Sequence, residues 1–171
     1  MVVATQNTPT TSAHWVTTEA LSDWTPYTFA ANWSNTTYYG SFRRVGCNIE
    51  LKNTMYLSGV VGGTWQATSA QMLNGLNLTI DSSKFPNYGT SSANQYSHNV
   101  GIWYGLQPGQ YNFGGHMYFF SAPSSITFYM AIPAATNSWW DNITSSIPYS
   151  WNNEAQFEMN ITLPILEWAM F

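Results

Sequence analysis

From Ile49 the chain alternates. Ile49, Leu51, Met55, Leu57 and Val61 are apolar at odd positions, while Glu50, Lys52, Thr54 and Ser58 point the other way. A period of two belongs to a strand with one face in a core and one in water. Asn53 interrupts the apolar series, and the break predicts a bulge or tight turn at Lys52-Asn53-Thr54. A second alternating run closes the chain: Phe157, Met159, Ile161 and Leu163 are interleaved with Glu158, Asn160 and Thr162. Between them, NVGIWY (99–104), YNFGGHMYFF (111–120) and ITFYMAI (126–132) are aromatic and β-branched runs separated by the turn compositions QPGQ and SAPSS, which predicts a three-stranded meander. Helical turns are expected only in TSAQMLNGLN, residues 68–77. From His14 to Asn35, Trp15, Leu21, Trp24, Tyr27, Phe29 and Trp33 fall at irregular spacing around Pro26, the mark of short strands or a wrapping loop. Residues 1–13 are Thr-rich and without period, an extended N-terminal arm leading into one domain over 14–171. The expected fold class is all-β: an antiparallel β-sandwich, jelly-roll-like, with little or no helix.

Composition narrows what such a domain does. Of 171 residues 7% are charged and 17% aromatic, with nine Trp, eleven Tyr and nine Phe, so the chain avoids charge yet has ample material for a rigid core. Four cations and a net charge of −4 give no basic face for phosphate, which sets nucleic acid aside. No run of 18 apolar residues occurs, and the start MVVATQNTPTTSAHW has neither the basic nor the apolar segment of a secretory signal. The expectation is synthesis in the cytosol without membrane insertion. The single cysteine, Cys47, reads as a small buried hydrophobe.

Chemistry is sparse in the sequence. His14, His98 and His116 stand far apart with no ligand spacing, so neither a metal nor another cofactor is expected. No nucleophile elbow, P-loop or dinucleotide fingerprint is present, and Asp81, Asp141, Glu154 and Glu158 do not single out a catalytic pair. The chain reads as a non-enzyme. Aromatic faces stack on sugar rings while amides and carboxylates satisfy hydroxyls, which makes Trp103, Tyr104, Tyr111, Trp139, Trp140, Asp141, Asn142 and Trp151 candidates for a glycan groove, against the competing reading that such rings fill the core. Three of the four cations, Arg43, Arg44 and Lys52, sit in one stretch. Neighbouring strand residues face opposite ways, so one of Arg43 and Arg44 must face outward, and a structural ion pair with Asp23, Glu19 or Glu50 is expected.

The series Trp24, Trp33, Phe42-Arg43-Arg44-Val45-Gly46, Ile49-Glu50-Leu51 and Leu57-Ser58-Gly59-Val60 resembles the β-rich head domains of tailed-bacteriophage tail fibre and minor tail proteins, and the stretch from Trp140 through Ile143-Thr144 and Pro148-Tyr149-Ser150 to Trp151 is similar to a signature near the end of such surface domains. The resemblance spans most of residues 24–163. It departs between Leu51 and Ser58-Gly59, where the family strand is usually continuous. What it implies is a virion structural protein on the particle surface, either a capsid decoration or head-fibre protein or the receptor-binding head of a tail fibre. A short chain with an arm suits a protein that docks on a preformed lattice. The partners implied are copies of itself in a homotrimer, other capsid or tail proteins, and a host surface glycan. The alternative is a stand-alone carbohydrate-binding, lectin-like module.

Overall fold

A computed structural model of the chain describes residues 22–85, 98–109, 112–122, 125–133, 140–148, 150–151 and 153–169. The N-terminal arm lies outside them. Nine strands run in chain order as β1 (Thr25–Tyr27), β2 (Thr36–Val45), β3 (Asn48–Leu57), β4 (Gln66–Thr68), β5 (His98–Leu106), β6 (Phe113–Ala122), β7 (Ser125–Pro133), β8 (Trp140–Asn142) and β9 (Gln156–Pro164). Among the described residues one short α-helix, α1 (Ser69–Met72), follows β4, and single 3-10 turns occur outside 68–77, at Ser82–Lys84 and Leu166–Trp168. The strands form a single antiparallel sheet in the order β1-β2-β3-β9-β5-β6-β7-β4, with β8 also on β7. The fold is all-β and sandwich-like, as the alternation predicts.

Why β9 takes the central place follows from its residues. Phe157, Met159, Ile161 and Leu163 are at most 2% exposed, and both edges of the strand are bonded, to β3 on one side and β5 on the other. Each fully buried side chain of this size stabilises by roughly 1.5–3 kcal/mol. Strands β5, β6 and β7 form the expected meander, with one register shift between Asn99 and Gly101.

The bulge predicted at Lys52-Asn53-Thr54 is absent. Register from Asn48 to Leu57 runs unbroken against β2, and Asn48 to Tyr56 runs unbroken against β9. Asn53 occupies a core-facing slot in the same row as Leu51 and Met55, only 1% exposed, and its polarity is met from across the core. The Tyr27 hydroxyl donates to Asn53 Oδ1 at 2.7 Å, and Asn53 Nδ2 lies 3.1 Å from Met72 Sδ. Gly40, beside Asn53 on β2, is required by this network, since a Cβ there would come within 2.4 Å of the Tyr27 ring. Burial pushes the Tyr27 phenol above its ordinary pKa, with the bond to Asn53 acting in the opposite direction, so it stays a donor.

That network also draws the two ends of the sheet together. Helix α1, fixed to the β4 end by a capping box in which Gln71 N donates to Thr68 Oγ1 and Thr68 N donates to Gln71 Oε1, sets Met72 against Asn53 and Tyr27 from the β1–β3 end. The segment after β1 completes the join. Asn32 N donates to Gln66 O at 3.0 Å, Gln66 N to Asn32 Oδ1 at 2.8 Å, and Ala30 N to Gln71 O at 2.9 Å. The curled sheet thus has part of its edge covered, which removes a template for unwanted strand pairing. Phe29 and Trp33, carried by this segment, are buried in the same core as β9.

Two outcomes test the packing. Ile161→Asp places an unpaired carboxylate at a site 2% exposed and is expected to abolish soluble folding, whereas a variant with unchanged melting temperature contradicts the assigned face. His98 packs against Phe85 and Phe119 at 5.2 Å each, and burial there lowers its pKa below the ordinary 6.5. The unfolded chain therefore takes up the proton first. Stability is expected to hold level above pH 6.5 and to fall as the pH drops through the window below it, measured by denaturant unfolding, and His98→Phe should flatten that decline.

Candidate functional site

The outward positions of the central strands are set by register. Tyr39 on β2, Thr54 on β3, Glu158 on β9, Tyr104 on β5 and Gly114 on β6 stand side by side in one row. A second row holds Thr37, Tyr56, Gln156 and Leu106, and a third Ser41, Lys52, Asn160, Ile102 and His116. Tyr39, Tyr56, Ile102, Tyr104 and Leu106 are the exposed large apolar side chains carried by strands among the described residues, and all five lie on this one face. Tyr39 and Tyr104 are more than half exposed, at 56% and 55%. A half-buried antiparallel sheet ordinarily turns polar residues to water, so an outer face carrying three tyrosines and two aliphatic side chains is the candidate contact surface.

Local chemistry arranges these groups. The Tyr39 and Tyr56 rings meet edge to face at 6.0 Å. Tyr104 lies across the neighbouring strand at Gly114, where a Cβ would approach its Cδ1 to 3.1 Å. Between the two tyrosine groups Gln156 Nε2 donates to Glu158 Oε1 at 3.0 Å. Asn99 Nδ2 and His116 Nδ1 are 2.7 Å apart on the β6 side. Further along the same face Tyr118 and Tyr129 stack at 5.6 Å. The Tyr118 hydroxyl donates to Asn142 Oδ1, and burial, with Tyr129 second, pushes that phenol up to about 12.

The expected ion pair forms at Arg43. Its Nε and Nη2 both reach Glu50 Oε2 at 2.7 Å, across directly opposed positions of β2 and β3. Arg43 Cζ also lies 4.8 Å from the centre of the Trp24 ring, and Lys52 Nζ lies 4.4 Å from it, so one tryptophan is held by two cations. Arg44 is not in an ion pair among the described residues. It points to the opposite side of β2, donates through Nε to Gly46 O at 2.9 Å and stacks on Trp168 at 5.0 Å. The three clustered cations therefore hold two tryptophans, Trp24 and Trp168, at one end of the sheet.

The predicted glycan residues separate. Trp103 and Trp151 belong to the core, at 0% and 1% exposure, with their indole N–H groups donating to Ala131 O and Ile147 O. A ring with no exposed face cannot stack on a sugar, and the correction follows from parity: Trp103 faces inward because Tyr104 faces out. Trp140, Asp141 and Asn142 form β8 at the far side of β7, three strands from Tyr104, with Asp141 and Asn142 half-buried. Tyr111 and Trp139 lie outside the described residues. Among those of the eight whose side chains are described, Tyr104 alone stands with the exposed rings of the outer face. The residues that sequence reasoning passed over are Tyr39, Tyr56, Ile102 and Leu106, whose signal was an apolar side chain at an outward position of a strand, and Gln156, which carried no such signal. Cys47 is half-buried. Among the described residues no three His, Cys, Asp or Glu gather in a group able to hold a metal ion, and no helix is long and apolar enough to cross a membrane.

Tyr104→Ser is expected to change stability by no more than about 0.5 kcal/mol, and Trp103→Ala to cost about 3–5 kcal/mol, as read from denaturant midpoints. Equal effects would contradict the assignment of the two faces. Compared with models of protein families, with curated proteins and with solved structures, the chain matches none.

Proposed function

We propose that this chain is a bacteriophage virion protein displayed on the particle surface, a capsid decoration or head-fibre protein or the receptor-binding head of a tail fibre, which acts by docking and adhesion. The single observation that carries the reading is the tyrosine-rich outer face on β2, β3, β9 and β5 of a domain that otherwise has little charge with which to meet a partner. Rigid aromatic side chains give large contact area at low entropic cost, which suits a surface that binds rather than turns over a ligand. The family resemblance supplies the setting. Its motif residues act together here, Trp24 being held by Arg43 and Lys52, and Arg43 by Glu50.

A second reading, a lectin-like module, is favoured by one specific observation. Tyr104 stands beside Glu158, which is itself bonded to Gln156, a ring next to hydroxyl-binding groups. The two readings part in one experiment. Immunogold labelling with antibody to the chain is expected to decorate intact phage particles on head or tail. Unlabelled particles, together with binding of the purified chain to a glycan array that Tyr104→Ser abolishes, would replace the virion assignment with the lectin.

A further inference from the structure

The outer face holds its own complement. Lys52 and Glu158 are both exposed, stand on adjacent strands, and are offset by one row, since Lys52 faces Asn160 and Glu158 faces Thr54. Neither is in an ion pair among the described residues: Lys52 rests on Trp24 and Glu158 accepts only from Gln156, whereas Arg43 is neutralised by Glu50. In a chain with 7% charged residues, a cation and an anion that are outside any ion pair among the described residues and share the outer face are a specific arrangement. Around them the face divides in two, with Tyr39 and Tyr56 on the Lys52 side and Ile102, Tyr104 and Leu106 on the Glu158 side.

We propose that this face is the contact between identical copies of the chain, with Lys52 of one copy set against Glu158 of the next. A second copy fits better than a sugar because Ile102 and Leu106 offer no ring to stack on and no group for a hydroxyl, yet at 40% and 46% they are exposed to nearly the same degree as the tyrosines. An unrelated protein need not carry the matching pair of charges, whereas an identical copy always does. Four strands about 4.8 Å apart and nine residues long present a plane of about 600 Å², the same order as the roughly 800 Å² that each partner buries in a specific interface. Either a two-fold pair or a cyclic ring brings the two halves of the face together. Apposition moves both charges out of water, and that is favourable only if they meet. The inference does not depend on where the protein is displayed.

The test is sedimentation of the full chain at tens of micromolar. An oligomer is expected. Lys52→Glu and Glu158→Lys should each weaken it at least tenfold, since each sets like charges together, and the double variant K52E/E158K should recover most of the wild-type affinity. Tyr104→Ser should weaken it as well. Circular dichroism confirms that each variant is folded, and Lys52→Gln and Glu158→Gln replace any that is not, with a smaller weakening expected. A folded wild-type chain that is monomeric overturns the proposal, as does an oligomer indifferent to the single reversals or one that the double variant fails to restore. Failure here with labelled particles leaves the virion reading standing, and success with unlabelled particles does the reverse.

Discussion

The structure depends on a strand that comes last in the chain and sits in the middle of the sheet. β9 is bonded along both edges, and its four inward side chains touch the core from which Trp33, Trp103 and Trp151 radiate: Phe157 alone lies within 6 Å of all three rings, at 5.8, 5.9 and 4.5 Å. Within the sheet β9 is the common neighbour of β3 and β5, and the β1–β3 ribbon meets the β5–β7 meander a second time where the segment after β1 bonds β4, itself paired with β7. The order of the sheet therefore makes the pairing of β9 with β3, remote in sequence, the contact on which the continuity of the sheet rests.

Once joined, the sheet has two faces with different duties. The inner face is filled by large side chains and tolerates one polar residue, Asn53, because Tyr27 and Met72 meet it there. A buried amide left without those partners costs about 1–3 kcal/mol, so the same bonds that satisfy Asn53 tie α1 to the opposite end of the sheet. The outer face then inherits a frame whose rows are fixed by register. Tyrosines on it are held at set spacings by backbone geometry rather than by loops, and a recognition surface built on strands is more precise than one built on connections.

Much of this is legible in the sequence, and the parts that are not have physical reasons. The alternation at Phe157–Leu163 and the three aromatic runs predict their strands because burial on one face imposes a period of two. Asn53 misleads because a polar residue in an apolar slot looks like a break, and its partners lie 26 and 19 residues away where no local pattern points to them. The closure of the sheet is hidden for the same reason, since Asn32 and Gln66 meet through long-range bonds made by residues of ordinary turn composition. Trp103 and Tyr104 look alike as candidate sugar-stacking residues, but once the strand's facing is set, one must be core and the other surface. That an arginine of the Arg43-Arg44 pair would meet one of Asp23, Glu19 or Glu50 was readable because a guanidinium near a sheet needs a carboxylate, and the structure selects Arg43 with Glu50, whereas the stacking of Arg44 on Trp168 draws together segments remote in sequence.

The account rests most heavily on the claim that the outer tyrosine face exists to be covered. Hydroxyl-radical footprinting of the chain across a dilution series reads that directly. Tyr39, Tyr56 and Tyr104 should be labelled freely at nanomolar concentration and protected at tens of micromolar, while Val60 and Leu166, exposed away from this face, keep constant labelling. Tyrosines labelled equally at every concentration, and equally on any assembled particle that contains the chain, would contradict it.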